Sequence, residues 1–390
     1  MIPYGRHSID ESDIQAVVDV LRSGYLTQGP QIDVFEKAVA EYVGAKYAVA
    51  VSSCTAGLHL AALAAGVGPG TTLVTSPITF VASANAGIYA GAKVAFADID
   101  PTTVNMSVSS LEAVFASEKS VRAVVPVHFA GLPCKMEAIK ALADRNNAVV
   151  IEDAAHALGA TYEDGSRVGS CRHSAMTVFS FHPVKAIAAG EGGMVMTNDE
   201  ALYRKLLRLR SHGINKGDDV FFSEDAASED GLPNPWYYEM QELGFHYRIT
   251  DIQCGLGNSQ FKRLPAFLAK RRALAERYDN IFDSWDWLRP AQTDQQIQSG
   301  RHLYVVRIDF KSLGKTRASV MRELRAAGII CQVHYIPVPM HPFYRDLGIR
   351  IEEFSDTISY YREALSIPLY YDLLESDQDF VISKLAALNS

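Results

Sequence analysis

The chain has 390 residues, 48% of them hydrophobic and 21% charged, with a formal net charge of −8. That is enough apolar material for a well-packed core and for more than one domain. A net negative field repels phosphate backbones and anionic membranes, and basic residues cluster only in short runs at 208–212 and 270–272, so neither nucleic acid nor a membrane is expected as a partner.

The five cysteines, Cys54, Cys134, Cys171, Cys254 and Cys331, are widely spaced and odd in number. No CxxC pair suggests a disulfide scaffold or a metal site, and reduced thiols in a cytoplasmic protein fit best. The start, MIPYGRHSIDESD, has no basic run followed by an apolar one, so a signal peptide is not indicated. No uninterrupted apolar stretch approaches the length of a membrane span.

In chain order, residues 10–22 predict a helix. Asp10 is placed to cap it, acidic residues open its first turn, and Ile14, Val17, Val18 and Leu21 recur at helical spacing. SGYLTQGP breaks the pattern, and 31–43 reads as a second helix. AKYAVAVSS (45–53) reads as a strand, CTAG as a small-residue loop, and LHLAALAAG as a helix closed by Gly66. Strands are then expected at 71–77, 92–99, 121–129 and 148–155, each of the first three followed by a helical pattern. Short apolar strands alternating with helices to about residue 210 predict a largely parallel sheet covered on both faces. Residues 217–235 carry six acids and read as an exposed excursion. A helical stretch from about 250, a strand at 303–310, a helix near 316–327, a strand in IICQVHYI and a helix at 375–388 predict a smaller α/β domain.

In a doubly wound sheet, functional groups gather beyond the carboxyl ends of the strands. Four such ends carry polar candidates. SSCTAGLHL (52–60) offers hydroxyls and backbone N–H groups at a helix start, which suits an anion or an ordinary cap. SPITFVAS (76–83) places Phe80 just past a strand, where a ring packs a core or covers a flat ligand. IEDAAHALG (151–159) places Asp153 at a buried strand end, a costly position for an unpaired carboxylate, with His156 nearby. FSFHPVKAIAAGEGGMV (179–195) adds Ser180 and Lys185 before a glycine cluster. A desolvated lysine has a lowered pKa and can attack a carbonyl. Anion loop, aromatic ring, aspartate, serine and lysine together form the set that pyridoxal phosphate requires.

The motifs LTQGP, PITFVASANA, VIEDAAHALGA, FSFHPVKAIAAGEGGMV, GFHYRITDIQCGLG and HYIPVPMH, taken in order, resemble the DegT/DnrJ/EryC1/StrS family of nucleotide-sugar aminotransferases over nearly the whole chain. The resemblance implies an α/β architecture, fold type I of the pyridoxal-phosphate-dependent transferases. Residues 1–250 would form a large cofactor-binding domain with a mostly parallel central sheet covered by helices, and 251–390 a smaller C-terminal α/β domain. It implies catalytic roles for Lys185 and Asp153, and cofactor contacts from Cys54, Thr55, Ala56, Phe80, Asp153, His156, Ser180 and Lys185. The family usually has G-[FY]-N-Y-R where this chain has GFHYR, so His246 stands in the place of an asparagine that reaches the partner subunit's phosphate site. Tyr25, Leu26, Thr27, His182, Arg248, His334 and Tyr335 are expected at the substrate. Members with histidine in place of the lysine act as dehydratases, and this chain keeps the lysine. The HPVK form resembles the branch that transfers an amino group from L-glutamate to C4 of a UDP-4-keto-6-deoxy-N-acetyl-L-hexosamine, yielding UDP-4-amino-4,6-dideoxy-N-acetyl-β-L-altrosamine for pseudaminic acid biosynthesis. Other 3- or 4-ketosugar aminotransferases of the family, of the perosamine, aminoarabinose or bacillosamine type, are alternatives, as is a protein that binds pyridoxal phosphate without catalysis, against which the intact set of Lys185, Asp153, Ser180 and Phe80 argues. A homodimer with shared sites is implied, with a UDP-linked keto sugar and L-glutamate as small-molecule partners.

Overall fold

The computed structural model describes residues 1–215, 220–292 and 299–389. Helix α1 (Glu11–Arg22) starts at a capping box, in which the Asp10 carboxylate accepts from the Ser12 and Asp13 N–H groups and Asp13 returns a bond to the Asp10 N–H. Helix α2 (Pro30–Val43) begins on a proline, whose missing N–H costs nothing there. The αβ alternation then runs β1 (Tyr47–Val51), α3 (Cys54–Ala64), β2 (Thr72–Thr75), α4 (Val81–Tyr89), β3 (Lys93–Phe96), α5 (Val108–Ser117), β4 (Val121–Val125), α6 (Met136–Arg145), β5 (Val149–Asp153), β6 (Met176–Ser180), β7 (Gly193–Thr197) and α7 (Glu200–Arg210).

The seven strands form one sheet in the order β1-β7-β6-β5-β4-β2-β3. All pair parallel except β7, which is antiparallel to both neighbours. The expected mostly parallel sheet is therefore present. Its two faces bury separate apolar layers. Phe35 and Val39 of α2, Leu111 of α5 and Ile139 of α6 pack on one. Leu58 and Leu60 of α3, Ala82 and Ala86 of α4, and Leu206 and Leu209 of α7 pack on the other. CTAG, expected as a loop, is the first turn of α3: Ser53 caps the helix by accepting the Ala56 N–H, so the helix starts on the small residues.

After α7 the chain forms β8 (Ile214–Asn215), α8 (Glu224–Ala227), the small ladder β9 (Ser228–Glu229) with β10 (Leu232–Pro233), and β11 (Glu239–Met240), which pairs with β8. From residue 220 on, the acidic excursion carries these short elements, and β9 and β10 are exposed; Asp218 and Asp219 lie outside the described residues. Helix α9 (Asp251–Phe282) is 32 residues long and carries Pro265 inside it. Its first half packs on α1 and α2, where a Cβ at Gly257 would stand 2.9 Å from the Phe35 ring, so glycine permits the close approach. Leu264, Phe267 and Leu268 join the large-sheet core, whereas Leu274, Tyr278 and Phe282 join a second core.

That second core lies on the sheet β12 (Leu288–Pro290), β13 (Tyr304–Ile308) and β14 (Ala364–Ile367). It is flanked by α10 (Arg317–Ala326), α12 (Ser355–Glu363) and α13 (Glu375–Ala386), whereas α11 (Pro342–Asp346) packs through Tyr344 against Phe96 of β3. IICQVHYI is not a strand: it makes only single bridges, Ile329 with Ile2 and Gln332 with Ser366. The third strand is instead ALSI, hidden in sequence because it follows α12 with no intervening turn signal.

At the carboxyl end of β5, Glu152 and Asp153 point to opposite faces. Glu152 is fully buried and accepts from His128 Nε2 (2.7 Å), Tyr162 OH (2.5 Å), Ser174 Oγ (2.5 Å) and Thr177 Oγ1 (2.9 Å). The Cys134 N–H donates to His128 Nδ1 at 3.1 Å, so Nε2 carries the ring proton and donates to Glu152. Burial raises the Glu152 pKa, but the His128 contact and the hydroxyl donors outweigh it and the net shift is downward. Glu152→Ala would strand four donors, three of them buried. The expected loss is about 3–5 kcal/mol in unfolding free energy, measured by urea denaturation.

Candidate active site

The carboxyl ends of β1, β2, β5 and β6 open onto one cavity of about 440 Å³ between the large sheet and the small domain. Its lining includes Cys54, Thr55, Phe80, Asp153, His156, Ser180, His182, Lys185, His334 and Tyr335. Ten of the residues expected from sequence therefore converge on it.

At the start of α3 the Ser53 cap takes the Ala56 N–H (3.1 Å), and the Gly57 N–H reaches the Ser53 carbonyl. Ala56 packs in the apolar layer with Leu58 and does not line the cavity, and its N–H is spent on the Ser53 cap. The N–H groups of Cys54 and Thr55 precede the first intrahelical bond and stay available, as does the Thr55 hydroxyl. With the Ser180 hydroxyl they form a donor set suited to an anion at a helix N-terminus. Gly193 makes room for this turn: a Cβ there would lie 2.6 Å from the Cys54 nitrogen and the Ser53 carbonyl carbon. Of the glycine cluster, it is Gly193 that lets β7 run against the start of α3.

Asp153 is buried, and both carboxylate oxygens are engaged: Oδ1 accepts the Ala155 N–H (3.1 Å) and Oδ2 the Ser83 hydroxyl (2.6 Å). Lys185 sits in the turn after β6, its N–H bonded to the His182 carbonyl. Burial pushes its amine down from 10.5 to about 8, against the opposing pull of Cys54 and Asp153. Around them the wall is aromatic. The Tyr335 hydroxyl lies 3.1 Å from His156 Nε2, and the His302 ring lies 4.4 Å from that of His156. Burial lowers the pKa of His156 and His302, and that of His334 to about 3, so these imidazoles are neutral at pH 7. His334 also bonds Ser366 through Nδ1 at 2.8 Å. Phe80 is half exposed at the mouth, its ring 6.4 Å from that of Tyr335.

Five expected residues lie elsewhere on the same chain. Tyr25 and Arg248 line a separate groove of about 550 Å³ with Asp33 and Arg210. The Leu26 carbonyl accepts the Asp251 N–H, and Thr27 bridges Thr250, which ties this turn to the start of α9. His246 is exposed and packs edge-on against His212. None of them lines the Lys185 cavity.

A family profile, DegT/DnrJ/EryC1/StrS aminotransferase, matches residues 7–386. The chain belongs to this aminotransferase family. It is an enzyme, a sugar aminotransferase of the pyridoxal-phosphate-dependent class. It is 40% identical over 383 residues to the spore coat polysaccharide biosynthesis protein SpsC of Bacillus subtilis, covering 98% of this chain and 95% of that one. It is 37% identical over 391 residues to the UDP-4-amino-4,6-dideoxy-N-acetyl-β-L-altrosamine transaminase of Campylobacter jejuni, covering 100% and 97%. The solved structure of Helicobacter pylori PseC, an aminotransferase of pseudaminic acid biosynthesis, superposes with a TM-score of 0.89 at 29% identity, covering 99% of this chain and 98% of that one.

The donor set of this aminotransferase fits pyridoxal phosphate. Free N–H groups and hydroxyls suit its phosphate, a buried carboxylate suits a protonated ring nitrogen, and an amine near neutrality suits its carbonyl. Sequence reasoning missed Tyr4, Thr79, Ser83, Glu191 and His302, all at or behind the cavity wall. Ser83 had a signal, since it lies three residues after Phe80 on the first turn of a helix. Tyr4 and His302 had none, because distant segments bring them in.

The Lys185 shift has a consequence for the protein without cofactor. Between pH 8 and 10.5 the unfolded chain holds the lysine proton and the folded chain does not, so this group adds stability as pH rises through that window. Lys185→Met removes the penalty. The variant should melt a few degrees above the parent at pH 7, with the difference shrinking through this window and gone above it, by thermal denaturation across pH.

Proposed function

We propose that this aminotransferase uses pyridoxal 5′-phosphate to move an amino group from L-glutamate to C4 of a UDP-4-keto-6-deoxy-N-acetyl-L-hexosamine, making UDP-4-amino-4,6-dideoxy-N-acetyl-β-L-altrosamine for pseudaminic acid biosynthesis. The observation that carries the reading is the meeting of Lys185, Asp153, Ser180 and the free start of α3 in one cavity. Similarity to the Campylobacter transaminase and to PseC supports the substrate.

When bound, the cofactor supplies an electron sink for the carbanion formed at the carbon that carries the amine. The chain's own groups do the rest. The Cys54 N–H, Thr55 and Ser180 would hold the cofactor's phosphate, Asp153 would accept from its ring nitrogen and keep it protonated, and Phe80 and His156 would contact the ring from the cavity wall. Lys185 would take the α-proton from the amino donor and, in the second half, deliver a proton to the acceptor carbon; burial lowers its amine to about 8 and so brings the base form within reach. The neutral imidazoles of His302 and His334 add no charge to compete for it. His182 and Tyr335 face the substrate from the cavity wall.

The same reading makes the protein a homodimer with shared sites. Val220, Phe222, Leu232, Trp236, Tyr238, Met240 and Leu243 are all more than half exposed within 24 residues, a patch that favours a protein partner. Tyr25, Leu26, Thr27, His246 and Arg248, remote from their own cavity, would serve the partner's. A second substrate is favoured by one observation. The Bacillus relative, at 40% identity, has a spore-coat polysaccharide name, which suits another nucleotide-linked keto sugar.

A panel of UDP-, GDP- and dTDP-linked 3- and 4-keto sugars with L-glutamate, products identified by mass and NMR, decides between them. Amination of only a sugar outside the UDP-4-keto-6-deoxy class would refute the first reading. Lys185→Ala should lower turnover by at least about 10⁴-fold with the fold intact. Mixing Lys185→Ala with Arg248→Ala subunits should restore about a quarter of the parent activity, since half the dimers are mixed and each has one intact site of two. No recovery after verified exchange would mean the sites are not shared.

A further inference from the structure

We propose that Ser83, backed by Thr79, is a positioning residue that orients the Asp153 carboxylate. The inference rests on the reading that the cavity holds pyridoxal phosphate with its ring nitrogen at Asp153. Ser83 lies in the first turn of α4, and neither it nor Thr79 is exposed to any useful extent. Ser83 Oγ is 2.6 Å from Asp153 Oδ2, and Thr79 Oγ1 is 2.6 Å from Ser83 Oγ. The alternative acceptor for the Ser83 hydrogen, the Phe80 carbonyl, is at 3.4 Å.

The chemistry fixes the direction of the chain. A carboxylate only accepts, so Ser83 gives its single hydrogen to Asp153. Ser83 Oγ is then an acceptor, and Thr79 donates to it. The reverse direction would leave the Thr79 hydrogen buried without a recorded acceptor, a costly state. Two aligned hydroxyls polarise one another and strengthen the bond to the charged end. With Oδ1 held by the Ala155 N–H, the carboxylate has both oxygens pinned and cannot rotate. Its remaining lone pairs are held in one orientation, toward the cavity that Asp153 lines. A floating carboxylate would have to be ordered each time the ring nitrogen docked. This one is ordered in advance, by a helix on the same face of the sheet as α3.

The test measures pyridoxal phosphate affinity by visible absorbance titration in the parent, Ser83→Ala, Thr79→Val, Asp153→Asn and the two double variants that carry Asp153→Asn. Melting of each cofactor-free protein is the fold control. Ser83→Ala should weaken binding about tenfold and Thr79→Val about threefold. In the Asp153→Asn background each should change affinity by less than about twofold, because the group they act through is altered. Equal losses in both backgrounds would overturn the proposal, since the hydroxyls would then act independently of Asp153. Unchanged affinity in Ser83→Ala, with parent-like binding otherwise, would overturn it alone. If Ser83→Ala does not fold, the Thr79→Val pair decides by the same criterion. A parent chain that binds no pyridoxal phosphate would instead overturn the cofactor reading, and this one with it.

Discussion

Two carboxylates stand side by side at the end of a buried strand, and the architecture around them answers to that fact. A strand turns consecutive side chains to opposite faces. Glu152 and Asp153 therefore cannot share donors, and each face of the sheet supplies its own. Behind β5, an imidazole and three hydroxyls saturate Glu152. In front, one backbone N–H and one hydroxyl hold Asp153 and leave capacity toward the cavity. The saturated carboxylate has no capacity left for a ligand, and the partly satisfied one keeps some toward the cavity. Sequence alone shows two adjacent acids; only the donor count tells them apart.

The same asymmetry governs the lysine. Lys185 would be an ordinary ammonium on a surface turn. Between the sheet edge and the small domain, it loses water faster than Cys54 and Asp153 can compensate, and its pKa falls toward neutrality. The imidazoles nearby respond to burial in the same direction. Low dielectric thus sets a titrating amine beside the fixed Asp153 carboxylate, against the neutral rings of His156, His302 and His334.

Most of the large domain was legible in the sequence because its strands are continuous apolar runs that alternate with helices. The strand ends pointed to Cys54, Phe80, Asp153 and Ser180, and parallel topology then brings them to one edge. What escaped was whatever the pattern does not encode locally. CTAG lacks large apolar residues, so it read as a loop, although a serine cap starts the helix there. ALSI follows a helix without a break, and IICQVHYI has strand composition but pairs only through single bridges. Tyr4 and His302 reach the cavity through long-range folding that no spacing rule anticipates. Ser83 was visible on the right helical face and went unused because serine at that position reads as an ordinary helix residue.

Helix α9 gives the chain a property that neither core has alone. Its first half is buried among the large-sheet helices and its second half among the small-domain strands. The opening residues cross the same divide: Ile2 bridges Ile329, and the Tyr4 carbonyl accepts the Leu369 N–H, while the Tyr4 ring lines the cavity. No single cut separates the two halves without leaving part of one core in the other. For anyone dissecting the protein, modular swapping of the small domain is closed off.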